Sequence, residues 1–136
     1  MRDEFVEAVL AIVELVPPGT VLAYGDVSEL LGMGGPRQVG TVLSRHGGGV
    51  PWWRVIKAGG GAPEGHGKAA LAKYIDEGTP LRGDLRSGTW RVDMQRARWS
   101  PDDAELDAVD AVADALWERV HGPRGRMSDP DGELRP

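Results

Sequence analysis

The residues best suited to chemistry stand together at Pro51-Trp52-Trp53-Arg54, in a chain with 5 Trp but only 1 Phe. Indole rings offer large flat faces for stacking, but neither a nucleophile nor a base at neutral pH. The proline fixes the backbone before the rings, and the β-branched Val55 and Ile56 predict a strand directly after them. The tryptophans are therefore either ordinary core residues or a stacking surface for a planar ligand.

The rest of the sequence offers no catalytic group to act beside the indoles. There are 0 Cys, which excludes disulfides, thiolate zinc sites and a thiol nucleophile. The hydroxyls of Ser28, Thr41 and Ser44 and the 3 His form no recognisable triad with a base and an orienting group. We expect a protein that is not an enzyme and that uses no metal or cofactor.

Length and charge limit the number of domains and the kinds of partner that this chain can have. A chain of 136 residues suits one domain with a modest core. The net charge of −5 is uneven, because residues 1–100 hold 12 Lys and Arg against 11 Asp and Glu, whereas residues 101–136 hold 4 against 10. A near-neutral body with clustered arginines is compatible with a polyanionic partner. With no apolar run of roughly 18 residues and no recognisable signal peptide, we expect a cytoplasmic protein that does not enter membranes.

Apolar periodicity and helix breakers predict the elements that position these residues. Helices are expected over 3–16, with Asp3 as the cap, and over 24–31, 37–44, 66–77 and 101–121. A strand is expected over 54–57, and a hairpin over 81–92. Gly47-Gly48-Gly49 is interpreted as a flexible hinge. The prediction is a mainly α fold with a small β component: a winged helix-turn-helix-like DNA-binding domain over 1–100, an additional acidic helix over 101–121 and a disordered tail over 122–136.

Three short motifs occur in order along the chain: Ala23-Tyr24-Gly25-Asp26, Pro36-Arg37-Gln38-Val39-Gly40 and Pro51-Trp52-Trp53-Arg54-Val55-Ile56. Together they resemble the DNA-binding domain of O6-alkylguanine-DNA alkyltransferases. They are most similar to the alkyltransferase-like proteins, in which tryptophan replaces the reactive cysteine. Each motif alone is weak, but three in register make the match specific. The resemblance covers about residues 3–100 and implies that the partner is double-stranded DNA carrying O6-alkylguanine.

The same resemblance implies that this chain lacks the chemistry of the alkyltransferases. Those enzymes transfer an alkyl group to a cysteine thiolate, with a histidine acting through water as base. Trp52 stands at the cysteine position and Trp53 at the histidine position, so transfer at this site is chemically excluded. Glu77 matches the carboxylate that orients the histidine. We expect it to be a helix-end carboxylate with a structural hydrogen bond, and Arg54 to tie the loop.

The remaining matched residues serve to hold an extruded nucleotide, whose lost stacking must be compensated. Arg37 matches the arginine that fills the vacated space, and Tyr24 the tyrosine that crowds the neighbouring phosphate. The implied DNA contacts are Tyr24, Arg37, Gln38, Gly40, Thr41 and Arg45. The implied lesion pocket is Tyr24, Val50, Pro51, Trp52, Trp53 and Trp99. By family analogy, a monomer bound at the nucleoid would attract nucleotide excision repair proteins.

Two other functions stay open on the residues alone. A helix-turn-helix could read undamaged DNA as a transcription regulator, although Gln38, Thr41 and Arg45 are few base-reading side chains. Alternatively, the acidic helix over 101–121 could be the active part of a protein-interaction module. Lys57 and Lys68 are further candidates for phosphate contacts, with simple surface solvation as the alternative for each.

Overall fold

The computed structural model describes residues 2–122, and the predicted tail beyond Gly122 lies outside them. Within this range the chain forms six helices: α1 (Asp3–Leu15), α2 (Tyr24–Leu31), α3 (Pro36–His46), α4 (Gly67–Glu77), α5 (Met94–Ala97) and α6 (Asp103–His121). Four two-residue strands complete it: β1 (Leu22–Ala23), β2 (Val55–Ile56), β3 (Leu81–Arg82) and β4 (Arg91–Val92). The predicted mainly α fold with a small β component is confirmed.

α1 forms the centre of the main core because its apolar residues recur every three or four positions. Val9, Ile12 and Val13 are fully buried on that face, and each such side chain stabilises the fold by about 1.5–3 kcal/mol. α6 packs on α1 and α2 through the buried Val109 and Leu116. The added helix thus shares one core with the DNA-binding part.

α2 and α3 form the expected helix-turn-helix. α2 ends at Gly32, whose φ of +75° is a left-handed conformation that glycine adopts without strain. In the turn that follows, a Cβ on Gly34 would lie 2.6 Å from the Phe5 ring, so the turn is pressed onto α1. Pro36 occupies the first turn of α3, as predicted.

Two strand pairs fix the loops around this helix pair. β1 and β2 run parallel, with Leu22 opposite Val55, and this pairing brings the tryptophan turn beside the start of α2. β3 and β4 are antiparallel and form the predicted wing. The loop after β2 is fastened to the wing, because the Val92 N–H donates to the Gly60 carbonyl at 2.9 Å.

Several local predictions were wrong. Asp3 is the first helical residue of α1 and caps nothing. Arg54 belongs to a 3-10 turn over Trp52–Arg54, so the strand begins only at Val55. Gly47–Gly49 form another 3-10 turn, with Gly47 buried, instead of a hinge. The helical spacing over 66–77 predicts Leu71, Tyr74 and Ile75 on one side of the helix. Ile75 is nevertheless 59% exposed, because α4 packs on one narrow face through Ala70 and Tyr74.

α6 begins where the sequence indicated. The Asp102 carboxylate accepts from the Glu105 N–H at 2.8 Å, and the Glu105 side chain accepts in return from the Asp102 N–H at 2.9 Å. This reciprocal pair satisfies donors that a helix start otherwise leaves open. None of the helices within residues 2–122 is long and apolar enough to cross a membrane.

Candidate functional site

A cavity of about 360 Å³ lies between the helix-turn-helix and the loop that follows β2. Its walls come from the start of α2, the second half of α3, the two 3-10 turns and the loop over 57–66. A nucleobase is smaller than the drug-sized ligands that pockets of this volume bury. The lining residues are Tyr24, Gly40, Leu43, Ser44, Gly47, Gly48, Trp52, Val55, Lys57, Pro63, Glu64 and His66.

Trp52 forms the aromatic wall of this cavity. Its ring meets the edge of Trp53, with centroids 5.6 Å apart and planes at 86°. The centroid of the His66 imidazole lies 5.3 Å from that of the Trp52 ring, with the planes tilted by 55°. Both separations fall within the range of favourable aromatic pairing, so the indole is held from two directions. Trp52 remains only half-buried, which leaves ring surface available to a ligand.

The Glu77 carboxylate holds Trp53 from behind. It accepts from the Trp53 indole N–H at 2.9 Å, from the Gly19 backbone N–H at 3.1 Å, and from Arg54 through Nε at 3.1 Å and Nη2 at 2.7 Å. Arg54 in turn donates to the Val16 carbonyl at 3.0 Å. The predicted structural role of Glu77 and Arg54 is confirmed. Glu77 therefore holds the Trp53 indole at the position where the resemblance implies a histidine.

Two cations and a phenol complete the support around Trp53. Lys73 Nζ lies 4.8 Å and the Arg54 guanidinium carbon 5.4 Å from the centroid of its ring, both within cation–π distance. The buried Tyr74 hydroxyl donates to the Trp53 carbonyl at 2.6 Å. Backbone and ring of Trp53 are therefore both fixed, and Trp52 rests on a rigid base.

The ionisation of these groups follows from their surroundings. Burial alone would raise the pKa of Glu77, but the hydrogen bonds from Arg54, Gly19 and Trp53 outweigh it and hold the pKa below its ordinary value. Burial raises the pKa of Tyr74, and the nearby Glu77 adds to that effect. Burial also raises the pKa of Tyr24, so the phenol at the cavity is a neutral hydrogen-bonding group at physiological pH.

α3 presents an open cationic face beside the cavity. Arg37, Gln38 and Arg45 are exposed, and neither arginine forms an ion pair with a carboxylate anywhere in residues 2–122. A Cβ added to Gly40 would meet no heavy atom within 4 Å, so nothing covers the helix there. Thr41 differs, because its hydroxyl donates to the Arg37 carbonyl of its own helix at 3.0 Å. That bond leaves fewer free groups for reading base sequence.

The structure brings only part of the predicted pocket together. Tyr24 and Trp52 line the cavity, whereas Trp53 lies behind Trp52, and Val50 and Pro51 are half-buried outside the lining. The placement of Trp99 in the pocket is wrong, because that ring is only 6% exposed and packs in the core under α6, beside Leu15. Trp99 lies far from the tryptophan turn in sequence, and no local pattern indicated that its ring packs in the core.

Sequence reasoning also missed part of the wall. Leu43, Lys57, Pro63, Glu64 and His66 line the cavity. No local sequence pattern marked them, because the loop over 57–66 turns back through backbone hydrogen bonds between Lys57, Gly60 and Gly61. Lys57 Nζ lies 3.2 Å from Glu64 Oε2 at the cavity, where both side chains are largely exposed. The lysine predicted to contact phosphate thus has a carboxylate partner within the chain.

Comparison with known proteins gives this arrangement its context. Residues 4–76 match the family of the 6-O-methylguanine DNA methyltransferase DNA-binding domain. The DNA base-flipping protein of Escherichia coli (strain K12) is 35% identical over 106 residues, which are 73% of this chain and 77% of that protein. This chain belongs to the alkyltransferase-like family.

Solved structures of alkyltransferase-like proteins are also similar to this chain. The crystal structure of S. pombe Atl1 in complex with damaged DNA containing O6-carboxymethylguanine has a TM-score of 0.64, 28% identity, and coverage of 74% of this chain and 100% of that one. A second S. pombe ATL structure in complex with DNA gives a TM-score of 0.63 over the same shares. In this alkyltransferase-like chain, the family match ends one residue before Glu77, so the wing and α6 lie beyond it.

Proposed function

We propose that this chain recognises O6-alkylguanine in duplex DNA by rotating the damaged nucleotide into the Trp52 cavity, and that it transfers nothing. The observation that carries the proposal is the half-buried indole of Trp52, held by Trp53 and His66 as a wall of a cavity of about 360 Å³. Stacking of a base on an aromatic side chain is worth about 1–3 kcal/mol. That amount helps to offset the unstacking of the nucleotide.

Extrusion of a nucleotide also requires a group that fills the space left in the duplex, and α3 beside the cavity supplies one. Arg37 is exposed at the start of α3 and pairs with no carboxylate within the described part of the chain. A free guanidinium is planar and offers five donors, so it suits the space that the nucleotide leaves and the orphaned base opposite. Tyr24 at the start of α2 lies at the edge of the same cavity and would contact the adjacent backbone.

The absence of alkyl transfer rests on composition and geometry together. With 0 Cys in the sequence, no thiolate can accept an alkyl group. The Trp53 indole N–H is committed to Glu77, and an indole cannot take up a proton at neutral pH. A lesion that this protein recognises but does not repair needs a separate repair system. We propose that the complex, formed by a monomer, attracts nucleotide excision repair proteins.

Lesion recognition is tested by fluorescence anisotropy with two matched duplexes, one of which contains O6-methylguanine. We expect tighter binding of the damaged duplex, and a selective loss of that preference in Arg37→Ala and Trp52→Ala. Arg119→Ala, which removes an exposed arginine from α6, is the charge-matched control and should keep the preference. Equal affinity of the wild type for the two duplexes would overturn the proposal.

The claim that no chemistry occurs needs its own assay. The protein is incubated with duplex carrying a radiolabelled O6-methyl group, and the label is followed by denaturing electrophoresis. We expect all label to stay with the DNA. Covalent label on the protein would contradict the proposal even if lesion binding were selective.

A further inference from the structure

A second concave surface lies on the wing, outside the cavity that Trp52 lines. It is lined by Ala58, Gly59, Arg82, Gly83, Thr89, Arg91, Val92, Met94 and Gln95. Most of what it exposes is polar. Its two arginines set it apart from the aromatic cavity, because they make this surface suitable for an anion and not for an apolar ring.

Arg82 and Arg91 stand directly opposite each other in the antiparallel pair of β3 with β4. Like charges at opposite positions of a sheet destabilise the pairing. Both side chains are exposed, and neither has a carboxylate partner within residues 2–122. The nearby carboxylates are used locally: Asp84 accepts from the Arg86 N–H, and Asp93 caps α5. The two guanidinium groups therefore face solvent with their charge uncompensated.

The floor beneath these arginines is rigid. The Val92 N–H donates to the Gly60 carbonyl at 2.9 Å, and Arg91 Nη1 reaches the Gly59 carbonyl at 3.5 Å. A Cβ on Gly60 would lie 2.3 Å from the Val92 carbonyl oxygen, so glycine is needed for this close approach. The loop and the wing thus form one surface, which the backbone of Gly60 and Val92 joins.

This wing surface is continuous with the face that contains the helix-turn-helix. Tyr24 lines the aromatic cavity and also a shallow depression that reaches Pro36 at the start of α3 and Ala58, and that Asp26, Glu29 and Arg98 also line. Ala58 also lines the wing surface. The wing surface therefore borders the depression at Ala58, and the depression borders the aromatic cavity at Tyr24. Phosphates at regular spacing along one strand match this arrangement better than a single small anion does.

We propose that Arg82 and Arg91 form a second phosphate-binding site, which holds the DNA backbone outside the damaged nucleotide. The site rests on the proposed binding of duplex DNA, but it reads neither the lesion nor the base sequence. Phosphate contacts position a protein on DNA without specifying a sequence. Arg82 and Arg91 thus add affinity equally to damaged and undamaged duplexes.

The test measures the dependence of affinity on salt for Arg82→Gln, Arg91→Gln and the double variant. Each phosphate contact contributes about 0.9 to the slope of log K against log salt, so the double variant should lose about 1.8. At moderate salt its affinity for both duplexes should fall by roughly an order of magnitude. The ratio between damaged and undamaged duplex should stay within about twofold, because the cavity is untouched.

Arg86→Gln is the matched control, because Arg86 is an exposed arginine of the same wing that does not line the surface. Its slope should equal that of the wild type. An unchanged slope in the double variant, or an equal loss in Arg86→Gln, would overturn the inference. Saturable binding of inorganic phosphate alone would also overturn it, since the site would then serve a free anion. A lost slope without any lesion preference would refute the proposed function and leave this inference standing.

Discussion

Replacement of Glu77 by glutamine tests whether one carboxylate supports the whole tryptophan turn. Glu77 accepts four hydrogen bonds, from Gly19, Trp53 and twice from Arg54. A glutamine has nearly the same shape, but only one of its two terminal atoms can accept. Its amide nitrogen would face donors, and the Arg54 guanidinium would lose its counter-charge.

The expected loss of stability follows from these contacts. The Arg54 and Glu77 side chains are 14% and 13% exposed, and removing one partner of a buried pair costs about 3–5 kcal/mol. Residual solvent access and the acceptor that glutamine retains place the expected loss near the lower end, at about 3 kcal/mol. For a domain of this size, that corresponds to a melting temperature lower by roughly 10 °C.

The pH dependence has a definite sign. The pKa of Glu77 is lowered by its hydrogen bonds in the folded state, so its contribution is complete above the ordinary carboxyl pKa. The contribution is lost as pH falls through the lower folded-state value. The difference between the wild type and Glu77→Gln should therefore be constant from pH 8 to about pH 5 and shrink in stronger acid.

Urea unfolding followed by tryptophan fluorescence at several pH values measures this difference. Glu64→Gln is the control, because its pair with Lys57 is exposed, with Glu64 at 88%, and surface pairs contribute less than about 1 kcal/mol. A Glu77→Gln protein within about 1 kcal/mol of the wild type, or a difference that persists unchanged into acid, would refute the reasoning.

Three further substitutions separate the supports of the fold. Trp53→Phe keeps an aromatic ring, although a smaller one, and removes the 2.9 Å hydrogen bond to Glu77. It should lose at least about 1–2 kcal/mol of stability in urea unfolding, since a buried charged acceptor loses one of its donors. Gly60→Ala should lose about 2 kcal/mol or more by the same assay, because Gly60 has a φ of +91° and its Cβ would meet the Val92 carbonyl oxygen at 2.3 Å. Ile12→Ala should lose about 2–5 kcal/mol through the cavity it leaves in the fully buried core, with an unchanged circular dichroism spectrum.

The sequence predicted the long elements well because their signals are local. The helix of α1 was evident from apolar spacing, and the start of α6 from Ser100-Pro101-Asp102-Asp103. α5 was missed because four residues cannot show a helical period, although Asp93 caps it by accepting from the Arg96 N–H. Ile75 was misplaced because periodicity identifies an apolar face but not how much of it a neighbouring element covers.

The parts of the site that lie together in sequence could be predicted, whereas the parts that lie far apart could not. Trp52 was identified within its motif, but the histidine that flanks it, His66, lies 14 positions later in a loop without a pattern. Backbone hydrogen bonds turn the loop over 57–66 back toward the tryptophan turn, and such turns leave almost no trace in a sequence. Trp99 was misplaced because the resemblance alone assigned it to the pocket, whereas the ring packs in the core.

The position of α6 changes how the acidic end of the chain is best tested. Val109 and Leu116 of α6 pack in the same core as the apolar residues of α1. Deleting α6 would therefore expose apolar surface and destabilise the rest of the domain. Substitution of the exposed Asp107 and Asp110 by asparagine keeps the packing and changes only charge. If α6 repels DNA, affinity for any duplex should rise slightly, and more so at low salt.

The ring of Trp53 has a carboxylate partner in this chain, because its indole N–H donates to Glu77 at 2.9 Å. The resemblance implies a carboxylate that orients an imidazole, and Glu77 here orients an indole through the same kind of N–H donor. A carboxylate accepts equally from either ring, so the support behind the cavity survives the exchange. By the same resemblance, the indole of Trp52 stands at the cysteine position, where it offers a ring face for stacking. Because a carboxylate accepts from either ring, Trp53→His should preserve the bond to Glu77 that Trp53→Phe loses.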